Sequence, residues 1–421
     1  MSRWVKVLFL FETVCCFAGL VFPEKSTAQD KVFKLGILAP LTGPAAQNGT
    51  EIRDGATLAF EKIGSKIGDY KIELVSIDDQ SDPAKGTNAY SEAVERKGVQ
   101  AGILNWNTSV TVALLDVWAK YKVPHFFSLG AGKTINEKWA SMPPRDRYLI
   151  NKGWPVADSI ATPYVELMNS SIKNGTWKPK QKLVALWGED SPWGRSLVAG
   201  MGAMLKASGW KIFAEEYFPL NQTDFYQFLS KCKAAGVVAL CGSSSIPAEV
   251  SGVVKQAREI GFHGLIVADQ LGSIGDWYKL TGPASDGVID MVPQISTPAQ
   301  KEWAKEYKDR FGYNPSPNSS GICYDYANFF IKIAKRAIAK YGKLDSESLT
   351  AIGRDEVATG KLVFGKKDGA LFNPAYRYSQ KKPLEPVIGQ DAFYIPVIQY
   401  NKGQGYIVYP ENIKQATFVV K

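Results

Sequence analysis

The chain has 421 residues, of which 45% are hydrophobic and 22% are charged. This length exceeds one ordinary domain and suits two, and the composition is that of a globular protein with sizeable cores. The formal net charge of +9 is spread along the chain, without a basic run that is interleaved with aromatic residues. This pattern argues against a nucleic acid partner. The two histidines, His125 and His263, have no partners at metal-ligand spacing, so we expect neither a metal centre nor a cofactor.

The first 28 residues have the pattern of a secretory signal peptide. Arg3 and Lys6 form a basic start, residues 7–22 are mainly apolar, and residues 26–28 (STA) form a small-residue cleavage site. An uncleaved membrane anchor is the alternative. No later stretch is long and apolar enough to span a bilayer. We therefore expect an exported protein that begins near residue 29.

Strands and helices alternate from residue 31 to about residue 272. Residues 33–38 have the pattern of a buried strand, residues 40–50 form a turn-rich loop, and apolar residues recur at helical spacing from Glu51 onward. Further strands are predicted at residues 72–77, 99–104, 123–128, 182–187, 211–215, 237–241 and 265–268. Helices are predicted at residues 83–96, 156–172, 224–235, 248–260, 299–311 and 321–341. Two further helices are predicted, of which one begins near residue 109 and the other ends at residue 208. This alternation predicts an α/β fold.

Groups that could carry catalysis or bind a metal have weak patterns. Asp78, Asp79 and Asp82 are better explained as turn and N-cap residues before a helix than as a metal cluster. The segment GKLVFGKK resembles a phosphate loop but ends in Lys367, where serine or threonine must bind magnesium. The segment CGSSSIP lacks the spacing of a nucleophile elbow. We expect no enzyme, with an exported α/β hydrolase as the alternative.

Three cysteines remain after the predicted cleavage, namely Cys232, Cys241 and Cys323. An odd number leaves at least one thiol unpaired. We expect buried free thiols, with a disulfide between two of them as the alternative.

Polar residues at the carboxyl ends of two strands could bind a small anion. Thr108 and Ser109 stand at a predicted helix N-terminus, which supplies unpaired amide donors. Ser128, Gly130 and Gly132 form the neighbouring loop, where glycine allows a ligand to approach the backbone. A capping hydroxyl and ordinary turn glycines explain the same residues equally well.

The stretch GILAPLTGPAAQNGTEIRDGATLAFEKI closely resembles the opening of the branched-chain amino acid-binding proteins, the soluble receptors of bacterial ABC importers. The resemblance implies a type I periplasmic-binding-protein fold, in which two Rossmann-like lobes face each other across a cleft and are joined by a three-strand hinge. It implies that residues 29–150 plus about 288–355 form lobe one. Residues 151–287 plus about 356–421 then form lobe two.

The resemblance also implies roles for residues of lobe one. Ser109 stands where the family holds the ligand carboxylate, and Gly130 where the backbone contacts the amino acid head group. Gly132 replaces a threonine or serine that also grips this group. Asn48, in the first loop, matches a position that borders the pocket, and Tyr324 matches an aromatic residue that lines it.

In lobe two the match to the family's pocket is less complete. Trp193 stands where the family usually has tyrosine. Ser244 lies near the position of another aromatic residue that contacts the ligand in the family. The acid that binds the ligand's ammonium group should be Asp269 or Gln270, and straight alignment favours Gln270, which is a neutral amide.

From this resemblance we expect a monomeric periplasmic receptor that captures a small amino acid and delivers it to ABC transporter permease subunits. A branched-chain or other hydrophobic amino acid is the default ligand. An aromatic or aliphatic organic acid, or an amide, is the alternative, as is the same fold acting as a ligand sensor.

Overall fold

A computed structural model of the protein describes residues 31–394 and 396–420. The predicted signal peptide, residues 1–28, lies outside the described residues. Within the described part of the chain, no helix combines the length and the apolar character that a membrane span requires.

The first lobe is built on a five-stranded sheet. Its strands are β1 (Lys31–Ala39), β2 (Lys66–Ile67), β3 (Tyr70–Asp78), β4 (Ala101–Ile103) and β5 (His125–Phe126), in the spatial order β2-β3-β1-β4-β5. All pairings except that of β2 with β3 are parallel. The helices that connect these strands and follow them are α1 (Ala46–Glu61), α2 (Pro83–Glu95), α3 (Thr108–Tyr121) and α4 (Lys133–Ser141). Because β1 lies between two parallel neighbours and is covered on both faces, its side chains from Leu35 onward are buried.

Two boundaries in this lobe differ from the sequence prediction. Helix α1 begins at Ala46 rather than at Glu51, so Asn48 lies on the helix and not in the first loop. Gly49 does not break the helix, because a Cβ there would stand only 1.9 Å from the Pro40 carbonyl oxygen, and glycine allows this close packing. Within the strand predicted at 123–128, only His125–Phe126 form a continuous strand and Ser128 makes an isolated bridge to Lys152, since Phe127 has a positive φ of 60° that ends the extended run.

The second lobe continues the alternation. Its strands are β6 (Leu183–Glu189), β7 (Lys211–Phe218), β8 (Ala239–Ser243), β9 (Leu265–Asp269) and β10 (Ile289–Asp290). Its helices are α5 (Ala157–Lys173), α6 (Pro192–Ala207), α7 (Tyr226–Ala234), α8 (Pro247–Glu259) and the short α9 (Trp277–Thr281). Strand β10, which lies within the span predicted for lobe one, pairs with β9 in the second sheet.

The chain then returns to the first lobe through α10 (Pro298–Phe311), α11 (Cys323–Tyr341) and α12 (Ser346–Ile352), with α11 packed along α1. A small hairpin, β11 (Phe364–Gly365) with β12 (Ala375–Tyr376), follows. The chain ends in β13 (Val397–Asn401) and β14 (Gln404–Tyr409), which complete the seven-stranded sheet β14-β13-β10-β9-β8-β6-β7. This two-sheet α/β architecture confirms the predicted fold class.

The tail stays with the first lobe longer than predicted. The buried carboxylate of Asp325 on α11 accepts hydrogen bonds from the amides of Leu371 and Phe372 and from the Tyr376 hydroxyl, at 2.8–3.1 Å. Residues 371–376 are therefore held against the first lobe, although lobe two was predicted to resume near residue 356. The last crossing to the second sheet lies between β12 and β13.

The chain first crosses from one lobe to the other between α4 and α5, and this first crossing contacts the last one at Lys152. The Lys152 amide donates to the Leu384 carbonyl oxygen at 2.6 Å, and the Tyr378 hydroxyl donates to the Lys152 carbonyl oxygen at 2.6 Å. The Lys152 ammonium group, which is fully buried, lies 3.3 Å from a Glu385 carboxylate oxygen and donates to Asn136 Oδ1 at 2.9 Å. Two of the connections between the lobes are thus bonded to each other.

Candidate functional site

A cavity lies between the two lobes, at the carboxyl ends of the parallel strands, which is where open α/β sheets bind ligands. It encloses about 40 Å³, space for about three water molecules. A ring-sized ligand must therefore enter when the lobes are further apart. The residues that line the cavity are Ser81, Trp106, Asn107, Thr108, Ser109, Leu129, Ala131, Trp154, Glu189, Ser191, Trp193, Leu220, Ser245, Gln270 and Asn318.

The N-terminus of α3 faces this cavity without a side-chain cap. Asn107 occupies the N-cap position but makes no capping hydrogen bond, whereas Asp82 caps α2 and Ser191 caps α6. The role predicted for Asp82 is thereby confirmed. Thr108 and Ser109, the first two residues of α3, line the cavity as the sequence suggested. Uncapped amides at the positive end of a helix dipole, together with two hydroxyl groups, are able to donate hydrogen bonds to a carboxylate.

Three tryptophans supply most of the apolar wall. Trp106 Nε1 donates to the Ser245 carbonyl oxygen at 2.9 Å, and Trp193 Nε1 donates to Ser243 Oγ at 3.3 Å. Trp154, in the first crossing, packs edge-to-face on Phe393 at 5.2 Å between ring centroids. Because the indole N–H groups of Trp106 and Trp193 are bonded within the protein, these two side chains offer a ligand their ring surfaces and no donor.

Glu189, at the end of β6, is the carboxylate that lines the cavity. Its Oε2 accepts from Ser245 Oγ at 2.6 Å and from the Ser245 amide, while its Oε1 accepts from Ser191 Oγ. A carboxylate has about four acceptor sites. The hydrogen bonds from these two serines occupy three of them, two on Oε2 and one on Oε1.

Asp269, one of the two residues predicted to bind an ammonium group, lies behind the cavity wall. It is fully buried and accepts from the Tyr164 hydroxyl at 2.8 Å and from Ser243 Oγ at 3.1 Å. Burial raises the pKa of Asp269 to about 7, and the neighbouring Asp290 carboxylate adds to the rise. Gln270 does line the cavity, and its Oε1 accepts from Asn318 Nδ2, across the cleft, at 2.8 Å.

Other predicted contacts support the cavity wall from behind. Ser128 Oγ donates to Asn105 Oδ1 at 2.9 Å, and Asn105 Nδ2 in turn donates to Thr111 Oγ1 on α3 at 2.7 Å. The Gly132 amide donates to Thr108 Oγ1 at 3.1 Å. A Cβ at Gly130 would stand 2.7 Å from Ile135 Cδ1. Ser128, Gly130 and Gly132 thus help to position the N-terminus of α3, and none of the three lines the cavity.

Three further predicted contacts also lie away from the cavity. Ser244 Oγ donates to Glu249 Oε2 at 2.7 Å, and Asn48 Nδ2 donates to Ser273 Oγ at 3.0 Å. Tyr324 is buried on α11 next to Trp303, with 5.8 Å between ring centroids. The structure thus brings Thr108, Ser109, Trp193 and Gln270 together at one cavity. Direct ligand contact by any of these residues remains a prediction.

Left-handed backbone conformations cluster around the cleft. Residues other than glycine have a positive φ just after the strands that end there: Gln80 and Ser81 after β3, Leu104 after β4, Phe127 after β5 and Gln270 after β9. Such conformations cost free energy and concentrate at functional sites. These left-handed turns lie at the same edge of the sheets as the cavity.

Sequence reasoning missed several residues of the cavity wall. Glu189 and Ser191 stand in the segment GEDSPWGRS, which follows the strand predicted at residues 182–187, and Ser245 directly follows Ser244. Their positions after strand ends were an available signal. Trp154 and Asn318 become part of the wall only through the packing of distant segments. The cysteines Cys232, Cys241 and Cys323 are buried and free. Among the described residues, no group of histidine, cysteine, aspartate and glutamate is placed to hold a metal ion.

The family model for periplasmic binding proteins matches residues 32–382. Among curated proteins, the leucine-, isoleucine-, valine-, threonine-, and alanine-binding protein of Pseudomonas aeruginosa is 25% identical over 354 residues, which cover 82% of this chain and 89% of that protein.

Two solved structures have a similar fold. An ABC transporter solute-binding protein from Rhodopseudomonas palustris BisB5, in complex with 3,4-dihydroxybenzoic acid, has a TM-score of 0.72 and 22% identity, over 92% of this chain and 98% of that one. A branched-chain amino acid transporter substrate-binding protein from Streptococcus pneumoniae, in complex with isoleucine, has a TM-score of 0.68 and 18% identity, over 89% of this chain and 98% of that one.

The match to the family model extends over most of the described chain, and the two lobes are those of the similar solved structures. The chain therefore belongs to the periplasmic binding protein family and has its type I fold.

Proposed function

We propose that this protein is the substrate-binding receptor of an ABC importer and that its ligand is an apolar carboxylic acid without an ammonium group, with an aromatic ring as the best-fitting apolar part. The observation that carries the proposal is the composition of the cavity wall. The uncapped N-terminus of α3 offers donors to a carboxylate, and Trp106, Trp154 and Trp193 surround the space beside it.

The acidic groups near the cavity argue against an α-amino acid. An ammonium ion that leaves water needs a carboxylate with free acceptor sites close by. Asp269 is buried behind Ser243. Gln270, which lines the cavity where Asp269 does not, has a neutral side chain. The oxygens of Glu189 already accept three hydrogen bonds from Ser191 and Ser245, which leaves an ammonium group one acceptor site there.

A branched-chain amino acid is the second candidate. Glu189 is a carboxylate at the cavity, and a ligand amine could displace one of its serine donors. The Pseudomonas aeruginosa relative is named for binding such amino acids, while the similar structure from Rhodopseudomonas palustris contains 3,4-dihydroxybenzoic acid. The two candidates therefore differ in one testable feature, the ligand amine.

Delivery follows from closure of the cleft. The lobes close around the acid by movement at the crossings that meet at Lys152, and the closed form docks as a monomer on permease subunits in the membrane. This places the mature protein in the periplasm, after removal of residues 1–28. Because the ligand binds both lobes, the additional free energy of binding to the closed form is what drives closure of the cleft.

A thermal-shift screen of ligand-stripped mature protein tests the proposal. The panel contains benzoate, phenylacetate, hexanoate, leucine, isoleucine and benzamide. A ligand at a hundred times its dissociation constant adds about 2.7 kcal/mol to the free energy of unfolding. We expect the melting midpoint to rise with the aromatic acids and to stay unchanged with benzamide, which lacks the carboxylate. A rise with leucine and isoleucine alone would overturn the proposal in favour of the second candidate.

A further inference from the structure

Two polar atoms at the cavity have no hydrogen-bond partner within the protein. They are Ser81 Oγ and Asn107 Oδ1, and each belongs to a side chain that lines the cavity. Ser81 is 8% exposed and Asn107 is 7% exposed. Buried polar atoms are nearly always hydrogen-bonded, so two unpartnered atoms at one cavity require an explanation.

Several neighbouring polar groups at the cavity are bonded within the protein, and the Ser109 hydroxyl, which we expect to bind the carboxylate, belongs to a more exposed side chain. Ser191 and Ser245 donate to Glu189, Gln270 accepts from Asn318, and Thr108 Oγ1 accepts from the Gly132 amide. Nδ2 of Asn107 itself donates to Ser245 Oγ at 3.4 Å, and this bond across the cleft leaves Oδ1 as the atom without a partner.

The backbone holds Ser81 in place at some cost. Gln80 and Ser81 both have left-handed φ angles, of 53° and 59°, and the Ser81 amide donates to Asp79 Oδ1 at 2.8 Å. Neither residue is glycine, so the turn stores strain. A strained turn that presents an unpartnered hydroxyl to a cavity is a feature expected of a ligand contact.

We propose that Ser81 and Asn107 recognise a neutral hydrogen-bond donor on the ligand, so that the substrate class is a hydroxyl-substituted aromatic acid. This inference rests on the proposed function and narrows it. Asn107 Oδ1 can only accept a hydrogen bond, and Ser81 Oγ can accept one or donate one. A hydroxyl group can donate to Asn107 Oδ1 or pair with Ser81 Oγ, whereas an unsubstituted ring can do neither.

A neutral donor fits these partners better than a charged one. Both acceptors are uncharged, and an ammonium group buried against them would keep an uncompensated charge. A methoxy group has nearly the same shape as a hydroxyl group on a ring but cannot donate. Matched hydroxy and methoxy acids therefore isolate the hydrogen bond from the filling of space.

The test is calorimetric titration of the mature protein with benzoate, 3- and 4-hydroxybenzoate, and 3- and 4-methoxybenzoate. We expect at least one hydroxybenzoate to bind about 10- to 100-fold tighter than its methoxy counterpart, because a site built to bond a hydroxyl group rejects analogues without it. In the variants Ser81→Ala and Asn107→Ala this ratio of affinities should fall towards one. In the control variant Ser109→Ala, both acids should bind more weakly and the ratio should stay unchanged.

Equal binding of each hydroxy and methoxy pair by the wild-type protein would overturn the inference, as would a ratio that survives both variants. In either case the binding of benzoates would still support the proposed function. A protein that binds none of these acids would overturn both proposals together. Because the readout is a ratio within one protein, partial loss of stability in a variant does not change its meaning.

Discussion

Single residues decide what the cleft can bind, and Ser109 is the most direct case. Its hydroxyl group stands in the first turn of α3, where a ligand carboxylate would add a charge-assisted hydrogen bond. Ser109→Ala should weaken benzoate binding about 10- to 100-fold, since one hydrogen bond to a charged group contributes about 1.5–3 kcal/mol. Calorimetry measures this, with Ser141→Ala at the exposed end of α4 as the control. Unchanged affinity in Ser109→Ala would place the carboxylate elsewhere.

Position 132 accommodates glycine because two neighbouring groups leave no room for a side chain there. A Cβ there would stand 2.5 Å from Thr108 Cγ2 and 3.1 Å from the carbonyl oxygen of Pro192 in the other lobe. We expect Gly132→Ala to hinder closure and to weaken ligand binding. Thr108→Ser removes Cγ2 and keeps the hydroxyl group, so the double variant should recover part of the affinity. If Gly132→Ala binds benzoate like the wild type, the cleft does not close this far.

At this scale the sequence predicted some of the cavity wall and not the rest. Thr108, Ser109 and Trp193 lie at helix N-termini that follow strands, a position visible in the sequence. Asp269 and Gln270 are adjacent, but only Gln270 reaches the cavity, because Asp269 ends β9 in full burial and Gln270 turns with a φ of 73°. The direction in which a residue points after a strand depends on such a turn, which the alternation of strand residues does not encode.

One buried ion pair joins two crossings between the lobes that are far apart in the chain. Lys152 of the first crossing lies 3.3 Å from Glu385 of the last, and their side chains are 0% and 8% exposed. Burial lowers the pKa of Lys152, and Glu385 opposes this change. Glu385→Leu should lower the free energy of unfolding by about 3–5 kcal/mol, because it leaves a buried ammonium group without its partner.

Urea unfolding measures this change. The double variant Lys152→Met with Glu385→Leu should lose less stability than Glu385→Leu alone, since it removes both charges together. Equal losses in the single and double variants would mean that the pair acts through packing rather than through charge.

Most helices and strands were predictable, because the alternation of apolar residues follows the period of each element. The last connection between the lobes was not. Its segment between β11 and β13 is rich in proline, tyrosine and glycine and has little periodicity. Its position depends on single contacts to Asp325 and Lys152, which lie 46 or more residues away in the chain.

In the whole molecule, the lobes are joined across the cleft by hydrogen bonds that involve no ligand. Asn48 Nδ2 donates to Ser273 Oγ at 3.0 Å, the Gly275 amide donates to Glu51 Oε1 at 2.7 Å, and Asn318 bonds to Gln270. The variant Asn48→Ala should shift the ligand-free protein towards the open form, by about 0.5–1.5 kcal/mol for the hydrogen bonds lost.

Small-angle X-ray scattering measures this shift as a larger radius of gyration in the variant without ligand. Saturating ligand should return the variant to the wild-type value. An unchanged radius without ligand would mean that these contacts do not hold the lobes together.

Buried carboxyl groups make the stability of the whole molecule depend on pH. Burial raises the pKa to about 6 for Asp290 and to about 7 for Glu51, Asp79, Glu249, Asp269 and Asp325. Between about pH 5 and pH 8 the folded state therefore binds protons that the unfolded state does not, so the free energy of unfolding rises as the pH falls. Carboxylates whose pKa is lowered by a bound cation, such as Glu356 with Arg336, lose their contribution only at lower pH.

We expect the urea midpoint to be higher at pH 5.5 than at pH 8. Glu51→Gln removes one of the titrating groups and should reduce this difference. A midpoint that falls on acidification across this range would show that these groups are ionised in the folded protein.

We propose that an aromatic acid binds between the lobes with its carboxylate at α3. A crystal structure of the ligand-stripped mature protein with benzoate is the decisive test. We predict that the carboxylate lies within hydrogen-bond distance of Ser109 and the first amides of α3, with the ring among Trp106, Trp154 and Trp193. Benzoate bound outside the cleft, or an amino acid bound there with its ammonium group on Glu189, would overturn this proposal.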